Sequence, residues 1–100
     1  MTSSETKRLG VQREDVLRVM LDIGGYLTFE EIQRAIEWRT DRHHSEASIS
    51  ARLRDFRKAR YGAYIVDRRK RSGSLYEYRV RENPSKIEQL KFSEFLESHA

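Results

Sequence analysis

The sequence predicts an α+β domain in which three amphipathic helices precede a two-stranded β-hairpin, with one further helix appended at the C-terminal end. Three observations carry this prediction. Apolar residues recur at helical spacing in three separate stretches before residue 60. A strictly alternating stretch follows a Ser-Gly-Ser turn. Glycines and capping pairs stand where one pattern gives way to the next.

Residues 1–11 are polar and are expected to form a flexible arm. From Gln12 to Ile23, Val16, Leu17, Met20 and Leu21 fall on one face of a helix, and Gly24-Gly25 then stops it, because glycine accepts the left-handed conformation that ends helices. Tyr26 and Leu27 read as a short extended connection. Thr28 with Glu31 is a capping-box pair, in which each side chain satisfies the other residue's free amide, so a second helix opens here. Phe29, Ile32 and Ile36 share one face of it, with Ala35 beside them, and it is expected to end near Trp38. Arg39 to His44 has no periodicity and reads as a turn, longer than is usual between two such helices.

Ser45 caps a third helix, expected over 46–60, with Glu46 in its first turn where a negative charge suits the helix dipole. Ile49, Leu53 and Phe56 face the core. The opposite face presents Ala47, Ala51, Arg54 and Lys58, flanked by Ser48 and Asp55 on one side and by Ser50 and Arg57 on the other. Gly62 breaks the pattern, and Tyr64 to Arg68 is rich in β-formers. Ser72 to Ser74 supplies a turn, after which Tyr76, Tyr78 and Val80 alternate with Glu77 and Arg79. The result is a hairpin whose tip is expected to carry Arg68, Arg69, Lys70 and Arg71. Asn83-Pro84 marks a boundary, and Ser85 with Glu88 opens a fourth helix to Ser98, with Phe92, Phe95 and Leu96 on one stripe. The organisation is thus an arm at 1–11, a domain at 12–81 and a C-terminal helix within 82–100.

One hundred residues suffice for one compact domain. The hydrophobic fraction is 37% and the charged fraction 36%, which fits a small core beneath a charged surface. No apolar run approaches the ~20 residues that span a bilayer, and Met1 to Arg8 lack the apolar stretch of a signal peptide, so a cytoplasmic protein with no membrane partner is expected. With no cysteine, disulfides, zinc-thiolate sites and thiol nucleophiles are excluded. The net charge of +4 is unevenly spread: residues 52–81 carry eleven Lys/Arg against three Asp/Glu, while the flanking segments are each slightly acidic. Basic charge concentrated in one segment is the footprint of a polyanion binder.

The run Ser45 to Lys58 (SEASISARLRDFRK), then Tyr61-Gly62, then the basic hairpin ending YEYRV, resembles small winged helix-turn-helix proteins of bacteriophages and other mobile elements. The resemblance spans roughly residues 12 to 80. It implies that the third helix is a recognition helix in the major groove of double-stranded DNA, with Ser48, Ser50, Ala51, Arg54, Arg57 and Lys58 near the nucleic acid. Residues 68–74 would form a basic wing, with Arg68, Arg69, Lys70 and Arg71 on the phosphate backbone or in the minor groove. The chemistry of the residues agrees: small side chains let a helix approach base edges, Arg54 suits guanine or phosphate, and Lys58 suits phosphate. The absence of aromatic residues at the hairpin tip argues against stacking of single strands there.

His43 and His44 are adjacent and cannot converge on one metal as residues one helical turn apart would, so no metal site is expected. No nucleophile stands beside a base at recognisable spacing, and neither an enzyme, a cofactor nor a small-molecule substrate is indicated. Trp38 is expected to pack against the wing or the fourth helix. That helix either forms a homodimer interface or folds back towards Trp38 or Tyr26. The function expected is DNA binding, as a transcriptional regulator or phage-type accessory factor. The competing reading is a winged-helix module that binds a protein, such as an inhibitor of a host protein.

Overall fold

The computed structural model describes residues 3–85, and within them three helices and a two-stranded antiparallel hairpin make an α+β fold compatible with a winged-helix arrangement. The elements are α1 (Ser3–Ile23), α2 (Phe29–Thr40), α3 (Glu46–Phe56), a 3-10 turn (Ala59–Tyr61), β1 (Ile65–Ser72) and β2 (Leu75–Arg81). The expected C-terminal helix, beyond its opening at Ser85, lies outside the described residues.

Helix α1 corrects the expected flexible arm at residues 1–11, because the helix already begins at Ser3. Its apolar stripe reaches back two turns further than the pattern suggested: half-buried Leu9 continues the line of Val16 and Met20, and Gly10 is carried along within the helix. The core face is Val16, Val19 and Met20, whereas Leu21, expected to share it, is exposed. The helix ends as expected at Gly24, whose φ is +71° and whose N–H donates to the Met20 carbonyl at 3.0 Å.

Both bonds of the Thr28–Glu31 capping box form, with Thr28 N–H donating to Glu31 Oε1 at 2.9 Å and Glu31 N–H to Thr28 Oγ1 at 3.2 Å. Helix α2 runs to Thr40, past Trp38, and is closed by Asp41 in the left-handed conformation. Ser45 caps α3 by accepting from Ser48 N–H at 3.1 Å. Helix α3 stops at Phe56 rather than near residue 60, because Lys58 is extended and Gly62 turns the chain with φ +112°. A Cβ at Gly62 would stand 2.4 Å from the Tyr64 ring, which accounts for glycine at that turn.

The hairpin pairs Val66 with Val80, Arg68 with Tyr78 and Lys70 with Tyr76, and Gly73, with φ +51°, turns the chain. Leu27 exchanges two 2.8 Å backbone hydrogen bonds with Tyr78, adding a one-residue third strand beside β2. Ten buried side chains from α1, α2, α3 and both strands meet in one core, with Phe56 and Met20 its largest members. Phe29 stacks on Tyr78 with ring centres 4.6 Å apart, seating the hairpin against α2. The orientation of α3 relative to the hairpin therefore follows from core packing.

Candidate nucleic-acid interface

Alternation along β1 divides the four consecutive basic residues between two faces of the hairpin. All four lie within the strand, not in the turn that follows it, because β1 continues to Ser72. Arg68 and Lys70 share the face of Val66, which extends beyond the core. The Arg68 guanidinium lies over the Tyr76 ring at 4.7 Å, while Lys70 is exposed and forms no ion pair among the described residues. The opposite face is a closed charge lattice. Arg69 binds Glu77 at 2.5 Å and covers the Tyr26 ring at 3.8 Å. Arg71 reaches the α2 capping residue Glu31 at 2.8 Å. Asp67 accepts from Arg79 and Arg81, each as close as 2.8 Å, and the two guanidiniums, Arg81 foremost, hold its carboxyl below the usual range.

The expected helix residues also separate. Arg54 is exposed and its side chain has no partner among the described residues. Arg57 donates to the Val66 carbonyl at 3.0 Å, tying α3 to β1 while remaining exposed. Ser48 and Ser50 are half-buried, as is Ala51. Asp55, expected beside the outward face, is instead buried at 9% exposure. It collects Arg52 at 3.0 Å, Lys58 at 3.2 Å and Arg13 at 3.8 Å, so Lys58, just past the end of α3, is directed at a carboxylate of that helix.

Among the described residues, two grooves without a carboxylate flank α3. The first, of about 420 Å³, runs between α3 and the hairpin and is lined by Ser50, Arg54, Arg57, Arg68 and Tyr78 above Leu53 and Val66. Three guanidiniums and no carboxylate line it. The second, of about 300 Å³, lies between α3 and the first turns of α1. Of the basic residues in 52–81, Arg54, Arg57 and Arg68 thus line the groove between α3 and the hairpin, whereas Arg69, Arg71, Arg79 and Arg81 are paired with carboxylates.

The start of α3 is tied to the two preceding helices by a cluster that the sequence pattern did not single out. Asp15 of α1, at 6% exposure, accepts two hydrogen bonds from Arg42, at 2.7 and 2.8 Å, and one at 2.8 Å from Nε2–H of buried His44. Gln33 of α2 donates to the His44 carbonyl at 3.0 Å. The long turn is therefore bolted to both preceding helices just before α3 starts. Arg42 above all, and then His44, hold the Asp15 carboxyl below its usual range against the opposing effect of burial. Its signal in the sequence is only an aspartate next to the apolar stripe of α1 and polar residues in a turn.

Trp38, expected to pack, is 89% exposed on α2. Among the described residues no group of three His, Asp or Glu side chains is placed to hold a metal ion, and no helix is long and apolar enough to cross a membrane. Comparison of the chain with protein-family models, with curated proteins and with solved structures found no match.

Proposed function

We propose that this chain is a winged-helix protein that binds double-stranded DNA, with α3 in the major groove and the β1–β2 hairpin as the wing along the phosphate backbone. The observation that carries the reading is the groove between α3 and the hairpin, where Arg54, Arg57 and Arg68 stand together with no carboxylate among the lining residues. Guanidiniums convergent on one cleft favour phosphate oxygens, which they meet in a planar fork. The small side chains early in α3, Ala47, Ser48, Ser50 and Ala51, suit close approach to base edges. Of the basic run in β1, Arg68 and Lys70 are the wing contacts, because Arg69 and Arg71 are engaged within the domain. A role as a regulator or accessory factor in the cytosol, as a homodimer through residues 82–100, belongs to the same proposal.

Titration of a duplex of about 20 base pairs at several salt concentrations tests it. Each phosphate neutralised contributes about 0.9 to the slope of log affinity against log salt. A wild-type slope near −3 or steeper is expected from Arg54, Arg57, Arg68 and Lys70. Absence of salt-dependent binding would overturn the proposal. It would then favour the second reading, a protein-binding module, for which exposed Trp38 is the supporting observation because tryptophan is enriched at interface centres.

A further inference from the structure

An α-helix is about as wide as the major groove, so elements packed on both sides of an inserted helix face the two phosphate strands that border it. The hairpin accounts for one side of α3. On the other side lies the groove between α3 and the early turns of α1, lined by Arg8, Gln12, Ala47, Ser48, Ala51 and Arg52, again with no carboxylate. This groove exists because α1 begins at Ser3 and runs past the core alongside α3.

Arg52, one of the residues that line it, belongs to a cluster in which cations outnumber anions. Arg13, Arg52 and Lys58 all converge on the single carboxylate of Asp55. The buried Nε–H groups of Arg13 and Arg52 find no hydrogen-bond acceptor: Arg52 Nε lies 3.0 Å from an Asp55 oxygen without the alignment of a hydrogen bond. Arg52 is oriented by Gln12 Oε1 at 3.3 Å. Arg8, at the mouth, is exposed and has no partner among the described residues. The Ser48 hydroxyl accepts from Ser45 at 2.9 Å, which leaves its own proton to donate.

We infer that the α1–α3 groove is a second phosphate seat, in which Arg8, Arg52 and the Ser48 hydroxyl bind a phosphodiester of the DNA strand opposite the one held by the hairpin. The inference rests on the DNA-binding reading above and extends it to the side of α3 away from the hairpin, where Arg8 lies outside the basic segment. A phosphate entering here supplies the negative charge that Asp55 alone does not. Helix α3 is then straddled by two backbone contacts, which fix its position across the groove, whereas the hairpin alone would fix one edge.

The test compares full-length wild type with Arg8→Ala, Arg8→Lys, Arg18→Ala and Arg54→Ala on one 20-base-pair duplex over a salt series. Arg18 is an exposed α1 residue that is not among those lining the groove, so it controls for loss of charge alone. Arg8→Ala is expected to lower affinity several-fold and to reduce the salt slope by about 1. Arg8→Lys should retain the slope, and Arg18→Ala should match wild type. If Arg8→Ala binds as wild type while Arg54→Ala is weakened, the second seat is overturned and the DNA-binding reading stands. An equal loss in Arg18→Ala overturns the seat too, since net charge would then explain the effect. No salt-dependent binding by wild type overturns both.

Discussion

At the scale of single residues, neighbours on α3 have opposite duties, and the helical period assigns them. Leu53 is 3% exposed in the core, while Arg54, one position on, faces the groove beside the hairpin. Truncating a buried leucine costs roughly 2 to 5 kcal/mol, a large share of the stability of a domain this size. Leu53→Ala is therefore expected to lower the melting temperature strongly or to leave the domain unfolded. Arg54→Ala should change the stability by less than about 0.5 kcal/mol yet weaken DNA binding. Equal thermal losses in the two variants, followed by circular dichroism, would contradict this division. The same period misjudged Asp55, because a residue on the polar side of one helix can be buried by another: Arg13 of α1 and Arg52 enclose it. Lys58, taken from the sequence as a phosphate contact, has its nearest anion there.

At the scale of elements, the apolar period revealed which segments fold and roughly where they meet, but not where polar groups go. The α1 stop at Gly24, the capping box at Thr28, the Ser45 cap and the alternation of β2 were all legible, because each depends on a few adjacent residues. The backward extension of α1 was not, since Ser3 to Arg8 is polar and Leu9 lies beside α3, some forty residues away. Likewise the basic run of β1 reads as one patch in sequence, but strand alternation halves it. That halving has a measurable consequence. Replacing Arg68 and Lys70 together by alanine should weaken binding to duplex DNA of any sequence and flatten the salt dependence, with little change in melting temperature. Replacing Arg69 and Arg71 should do the reverse, because Glu77, at 7% exposure, would lose its cationic partners within a nearly dry site. Indistinguishable behaviour of the two double variants in parallel melts and titrations would show that the faces of the hairpin do not differ in role.

At the scale of the whole molecule, the parts that would meet DNA are held in place by carboxylates that must stay ionised. Asp15 ties α1 to the turn before α3, and Asp67 ties the two strands of the hairpin together. Both carboxyls are held below their usual range, Asp15 chiefly by Arg42 and Asp67 chiefly by Arg81. A folded-state value depressed below the unfolded value, near 4 for an aspartate, adds stability that is complete above that value and is lost as pH falls through the folded one. The melting temperature is therefore expected to decline once pH drops below about 4. Most of that decline belongs to Asp15, because its carboxyl is buried, whereas the pairs of Asp67 are more exposed to solvent and contribute little. Asp15→Asn keeps the shape of the side chain but cannot carry the charge. It should melt lower than wild type at pH 7, by an amount equivalent to about 2 kcal/mol, and should then lose less than wild type on acidification, so that the two melting curves draw together as pH falls further below about 4. DNA affinity at pH 7 is expected to fall with the same substitution although Asp15 is not among the groove residues, because the turn it anchors leads directly into α3. An Asp15→Asn protein that melts in parallel with wild type at every pH would show that the buried cluster does not control that turn.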